Sequence, residues 1–198
     1  MKVKNKRELE IIKSAYNVFQ DNGYHNATMK EIADKAEIGK GTLYEYFSSK
    51  KELFETSMIY SMEKGFEGIK SIVEKDLNFK EKIIEYFRYK IDFMKKQNTI
   101  FESFFSNREL ISDKVRDTFF CSMKKHYNDI MLIVEEGIKE GVVREDADKD
   151  ILASCILSIS NQHLGMNSLG EKNIKVDYEK IIDSLLEGFG RREKWKIK

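Results

Sequence analysis

The sequence predicts an all-α protein, and three observations carry that prediction. Its 198 residues include no proline. Sheet sandwiches and loop-rich folds use proline in turns, whereas a chain without it can run long, unkinked helices. Apolar residues recur at steps of three and four along most of the chain, the spacing that gathers them on one helical face. Two of these runs open with the pattern Ser/Thr-x-x-Glu, in which a hydroxyl and a carboxylate reciprocally satisfy the first free N–H groups of a helix.

The elements follow in order. From Glu8, the residues Leu9, Ile12, Ala15, Tyr16 and Phe19 define a first helix that Asn22-Gly23 ends. Thr28-Met29-Lys30-Glu31 caps a second, with Ile32, Ala33 and Ala36 on its apolar face. The pattern stops at Glu37-Ile38-Gly39 and resumes with Leu43, Tyr44, Tyr46 and Phe47. Ser49-Lys50-Lys51-Glu52 is a further capping box and opens a long run through Leu53, Phe54, Met58, Ile59, Met62, Phe66, Ile69 and Ile72 toward Asp76. Asn78 heads a helix with Ile83, Ile84, Phe87, Ile91 and Met94, and Ile100 to Phe105 reads as a separate short piece. Asp113 opens the next, which ends at Gly141. A charged link from Arg144 to Asp150 precedes Ile151 to Leu169, and Tyr178 to Phe189 is the last helix before a basic tail around Trp195. The expected total is nine helices. No internal repeat, low-complexity tract or flexible linker interrupts them, so the N-terminal unit, 1–47, is expected to pack directly on the larger one, 48–198.

Composition excludes several classes. Lys plus Arg number 35 against 34 Asp plus Glu, so no whole-chain charge excess points to nucleic acid or a membrane, and any such partner must be argued from local placement. Two cysteines, Cys121 and Cys155, are too few for a disulfide framework. With no apolar stretch behind the N-terminal charges and no window of 18 uncharged apolar residues, the expectation is a cytoplasmic protein without a membrane partner. Three histidines and two cysteines show no metal-ligand spacing, and Gly39-Lys40-Gly41-Thr42 lacks the spacing of a phosphate loop. No enzyme, no metal and no cofactor is therefore expected.

The segment from Thr28 to Lys50 is the most informative. Two short helices joined by a tight turn suit a unit whose first helix braces on the phosphate backbone while the second lies in the major groove. Leu43 and Phe47, four residues apart, suffice to seat the second helix and leave Lys40, Thr42, Tyr44, Glu45 and Tyr46 for a partner. The motifs Phe19-x-x-x-Gly23-Tyr24, Thr28-x-x-Glu31-Ile32-Ala33-x-x-Ala36, Lys40-Gly41-Thr42-Leu43-Tyr44-x-Tyr46-Phe47 and Ser49-Lys50-Lys51-Glu52-Leu53 resemble the tetracycline-repressor (TetR) family of bacterial transcription regulators. The resemblance is detailed over the first quarter of the chain; the rest matches in length, helicity and order.

That resemblance implies a DNA-binding, ligand-responsive regulator, a repressor in most of the family, released from a palindromic operator by a small molecule. The DNA-binding residues it implies are Thr28, Lys30, Gly39, Lys40, Gly41, Thr42, Tyr44, Tyr46 and Lys50. Lys40 and Thr42 would approach base edges, and Gly41 would admit close approach of backbone to DNA. Tyr44 and Tyr46 would meet phosphates or thymine methyls, and Thr28 and Lys50 would hold phosphates at helix N-termini. Two departures stand out: the family usually has Gly where this chain has Glu37, and Ser where it has Gly39. Glu45 has two readings, an acceptor for a cytosine amino group or a plain solvent-facing side chain. Residues 1–50 hold nine basic and seven acidic residues, net +2. Four of the basic ones precede Glu8, as a DNA-tracking arm or a solvated start.

The larger part has two expected tasks. Ile151 to Ile159 is apolar on nearly every side and needs burial on two faces. With the last helix it gives the candidate homodimer interface Ser154, Cys155, Ser158, Ile159, Gln162, Ile181, Leu185 and Phe189, the usual dimer elements of the family. Residues 79–127 hold eleven aromatics, with methionines in helical phase. The plain reading of each is core. Together they resemble the lining of a mostly apolar cavity, with candidates Met62, Phe66, Phe87, Met94, Phe101, Phe104, Phe105, Phe119, Met123, Tyr127, Asn161 and Gln162. His126 and His163 are further polar groups there. The competing class is a helical adaptor that binds protein or a membrane surface through the basic end around Trp195.

Overall fold

A computed structural model describes the backbone of residues 5–106, 111–168 and 177–189, and their side chains except those of 94–106 and 161–168. Among the described residues there are eight helices and no strand: α1 (Lys6–Asn26), α2 (Met29–Lys35), α3 (Lys40–Tyr46), α4 (Lys50–Val73), α5 (Phe79–Ser106), α6 (Asp113–Lys139), α7 (Lys149–Ser168) and α8 (Tyr178–Phe189). The expected separate piece at 100–105 is the continuation of α5. Lys95 to Thr99 is polar but contains neither glycine nor proline, so it interrupts the apolar stripe without breaking the helix.

Local chemistry accounts for most helix ends. Asn5 Oδ1 accepts from the Glu8 N–H at 2.9 Å, so α1 starts slightly before the apolar pattern shows it. Gly23 takes φ 72° and ψ 172°, a conformation that favours glycine, and one further turn follows it to Asn26. Asn78 and Glu81 cap each other reciprocally at the head of α5, both bonds at 3.0 Å. Asp148 and Asp177 accept from the N–H groups of Ile151 and Lys180. At α4, Ser49 Oγ accepts from the Glu52 N–H, but the Glu52 carboxylate reaches one residue further back, to the N–H and hydroxyl of Ser48.

The chain forms two compact units. The first comprises residues 1–65 and 96–122, the second 66–95 and 123–198. In the first, Ile11, Ile12, Phe19, Ile32, Leu43, Leu53 and Phe54 are 0–1 % exposed, and the rings of Phe19 and Phe54 meet edge to face with centroids 5.0 Å apart. In the second, Ile83, Tyr86 and Phe87 of α5 pack with Ile130, Ile133 and Val134 of α6, Leu152, Ala153 and Ile156 of α7, and Ile182 of α8. Each such buried Val, Leu, Ile or Phe side chain contributes about 1.5–3 kcal/mol. The second unit also buries a cation. The Lys82 ammonium donates to the Val73 carbonyl at 2.7 Å and to Glu136 at 2.6 Å. Gly68 of α4 lies under the Tyr89 ring, which a Cβ there would meet at 2.1 Å, so this glycine marks a close packing contact.

Candidate nucleic-acid interface

The α2–α3 pair is built on locally satisfied ends. The Thr28 hydroxyl accepts from the Glu31 N–H at 3.2 Å and donates to the Glu31 carboxylate at 2.8 Å, while the Thr28 N–H donates to the same carboxylate oxygen at 2.8 Å. These bonds hold the Glu31 carboxyl below its ordinary range. At the other end of α2, the Ile38 N–H donates to the Ala33 carbonyl and the Glu37 N–H to that of Asp34. This is the Schellman closure, which needs a left-handed residue at its bend. That residue is Glu37, at φ 54°, and it is the single non-glycine with positive φ among the described residues. A left-handed residue with a Cβ is strained by about 1–2 kcal/mol, which gives the physical reason why glycine suits this position. Arg7 donates to the Glu37 carbonyl at 3.0 Å and so ties the turn to the start of α1.

α3 is only seven residues long. Leu43 and Phe47 are 0 % and 3 % exposed and anchor it to the core. Gly39, its N-cap, is extended and has no side-chain cap bond, as expected for a residue without a hydroxyl. Lys30, Gly39, Lys40, Gly41, Tyr44 and Glu45 are exposed, and Thr42 and Tyr46 are half-buried. The Lys40 ammonium sits 5.9 Å from the centre of the Tyr44 ring. A Cβ added at Gly41 would meet nothing within 4 Å, so the fold itself does not require glycine there.

Lys50 sits differently from the other basic candidates. Its ammonium donates to the carbonyls of His25 at 3.1 Å and Ala27 at 2.8 Å and lies 4.6 Å from the centre of the Tyr24 ring. Burial pushes its pKa down, opposed by the charge of Glu31. It therefore pins the start of α4 to the α1–α2 connection.

The residues expected to line a cavity fall in both compact units. Met62 and Phe119 belong to the first; Phe66, Phe87, Met123 and Tyr127 belong to the second. Met62 and Phe87 are buried, while Phe66, Phe119 and Met123 are half-buried. The Tyr127 hydroxyl donates to the carboxylate of Asp150. The side chains of Met94, Phe101, Phe104, Phe105, Asn161 and Gln162 lie outside the described residues. Of the candidate dimer residues, Ser154 and Ser158 are exposed and Cys155, Ile159, Ile181, Leu185 and Phe189 are half-buried. Ile151, on the same face of α7 as Ser154 and Ser158, is 53 % exposed, whereas Leu152, Ala153 and Ile156 on the opposite face are buried.

Sequence reasoning passed over a polar cluster in the second unit: Tyr86 and Lys90 of α5 and Ser160 of α7, next to His126 of α6. The signal was present, since Lys90 stands in helical phase with Ile83, Tyr86 and Phe87 on the apolar face of α5.

Residues 11–56 match the profile of the tetR family of bacterial regulatory proteins. That segment is a tetR-family domain, and the chain is a DNA-binding transcriptional regulator. A fatty acid metabolism regulator protein of Bacillus subtilis is 24 % identical over 192 residues, covering 94 % of this chain and 95 % of its own. Among solved structures, a transcriptional regulator from Saccharomonospora viridis in complex with choline superposes with a TM-score of 0.77 at 18 % identity, covering 93 % of this chain and 97 % of that one. AibR in complex with isovaleryl coenzyme A and operator DNA superposes with a TM-score of 0.62 at 20 % identity, covering 93 % and 98 %. These likenesses extend the TetR fold over nearly the whole chain. Among the described residues no helix is long and apolar enough to cross a membrane.

Proposed function

We propose that this TetR-family chain is a cytoplasmic, non-catalytic homodimer that represses transcription from a palindromic operator and is released by a small, mostly apolar molecule. Residues 1–47 carry DNA recognition, and 48–198 carry effector binding and dimerisation. The observation that supports DNA recognition best is α3: two buried anchors, Leu43 and Phe47, seat a seven-residue helix whose Lys40, Gly41 and Tyr44 are exposed. In this reading Lys40 and Thr42 meet base edges. Tyr44, Tyr46, Lys30, Thr28 and Gly39 meet the backbone of the duplex, and Lys50 positions the α1–α2 connection for phosphate contact. The exposed α7 face at Ile151, Ser154 and Ser158, together with α8, supports two-fold pairing. Two recognition helices then address half-sites about one helical turn apart.

The effector occupies the aromatic-rich second unit near Phe66, Phe87, Met123 and Tyr127 and acts by binding one state of the dimer more tightly than the other. α4 is continuous from Lys50 to Val73, with its first turn next to the DNA-binding helices in sequence, and it transmits the change. Selection of bound duplexes from a random pool, followed by titration of the winning site, tests the reading. Lys40→Ala and Tyr44→Ala each lower affinity about 10-fold or more with the fold retained. Absent or salt-insensitive duplex binding overturns it.

A further inference from the structure

We propose that the effector is an anion: a carboxylate attached to an apolar body, its acid group held in the second unit by the Lys90 ammonium and the His126 imidazole. This inference rests on the effector reading above and adds the sign of the ligand's charge.

His126 is 0 % exposed, and among the described residues neither of its ring nitrogens has a hydrogen-bond partner. A neutral imidazole carries one N–H donor and one acceptor, so this side chain presents a buried donor with nothing to receive it. Buried polar groups are otherwise nearly always paired. Aromatic rings flank it, Phe66 at 5.7 Å and Tyr86 at 5.6 Å between centroids, which is the surrounding an apolar ligand body needs.

Lys90 follows Tyr86 by four residues on α5 and therefore lies on the same helical face. Burial lowers its pKa to about 8. Burial first, and then the charge of Lys90, hold His126 down to about 3. The Lys90 charge opposes protonation of His126, and an arriving anion offsets both that charge and the desolvation of the ammonium. Among the described residues no carboxylate pairs with either. Asp129, one turn beyond His126, has Lys70 and Glu74 as its charged neighbours.

The nearby hydroxyls cannot take over the donor role. The Ser160 hydroxyl donates to the Leu157 carbonyl at 2.7 Å, so the Tyr86 hydroxyl, 3.0 Å away, donates to Ser160. Both protons are used. The cluster thus offers ammonium and imidazole donors, which suit a group that only accepts. A quaternary ammonium such as the choline bound by the Saccharomonospora viridis neighbour would face a like charge here.

The test compares three probes of equal chain length on the full-length protein by calorimetric titration: octanoate, 1-octanol and octyltrimethylammonium. Octanoate is expected to bind at least about 10-fold more tightly than either of the others. Lys90→Met removes a desolvated ammonium at similar volume, so it should melt at the same or a higher temperature while reducing that preference to about threefold or less. Equal affinities, a preference for the cation, or a preference that survives Lys90→Met overturns the proposal. If Lys90→Met does not fold, the preference of the unsubstituted protein among the three probes decides alone. Release of the selected duplex by octanol or the ammonium but not by octanoate overturns the anion and leaves the effector reading standing. Failure of all three to bind or to alter duplex affinity removes both.

Discussion

The DNA-binding helices and the second compact unit solve the burial of polar groups in opposite ways. In α1–α3 most side-chain caps close over three residues: Asn5 with Glu8 and Thr28 with Glu31. The pairing that sets the interior of the second unit is remote. Lys82 meets Glu136 across 54 positions, and Tyr86 meets Ser160 across 74. α3 presents Lys40, Tyr44 and Glu45 outward, whereas the second unit keeps inside it an imidazole with both ring nitrogens unpartnered, against single unpartnered oxygens of Gln20 and Ser112 in the first. The difference teaches where each region's binding capacity resides: on a surface that needs only a stable short helix, and in an interior whose polar groups are incompletely matched.

Four perturbations break or sharpen that contrast. The largest effect belongs to Gly41→Leu. Because a Cβ there meets nothing within 4 Å in the free protein, the melting temperature should hold or rise, while affinity for the selected duplex falls about 100-fold, equivalent to about 2.7 kcal/mol. Fluorescence anisotropy alongside a thermal melt separates the two, and unchanged affinity would remove Gly41 from the interface. Next comes Glu136→Ala, which leaves the buried Lys82 ammonium with the Val73 carbonyl alone. Urea unfolding should show a loss of about 2 kcal/mol, below the range for fully buried pairs because Glu136 is partly exposed.

A smaller effect is expected from Glu37→Gly. Relief of the left-handed strain, offset by the greater freedom of glycine in the unfolded chain, should raise stability by about 0.5–1 kcal/mol. A lower melting temperature would mean that the Glu37 side chain makes a compensating contact. The smallest is the pH response of the α2 cap. The Glu31 carboxyl is depressed from 4.5 by its bonds to Thr28, so its contribution is complete above that value and is lost as pH falls through the depressed one. Glu31→Gln should flatten that acid limb of a melting-temperature profile, and an unchanged limb would assign it to other carboxylates.

How much could be read in advance follows the same division. The α2 capping box, the turn at Glu37 to Gly39 and the anchors Leu43 and Phe47 were legible because their partners lie within one turn of the chain. The departure at Glu37 was also visible, although only its φ of 54° explains why glycine suits that position. The separate helix expected at 100–105 failed because a polar stretch resembles a boundary when helix phase is judged by apolar residues alone. Lys90 was passed over for a related reason: a lysine in phase with a core stripe normally extends its ammonium to water, and only the packing of α5 and α6 reveals a half-buried side chain with a desolvated ammonium.

The amino-acid order by itself determined the all-helical class, the positions of most helix ends and the outward residues of α3, since these depend on backbone capping and periodicity within a few residues. Tertiary structure decided which polar groups are buried and which partners they find. Lys50 turns to the carbonyls of His25 and Ala27, Lys82 to Glu136, and His126 to aromatic rings but to no hydrogen-bond partner among the described residues. Those outcomes depend on helices far apart in sequence meeting in space, where burial removes water and the remaining hydrogen-bond capacity sets what the site can receive.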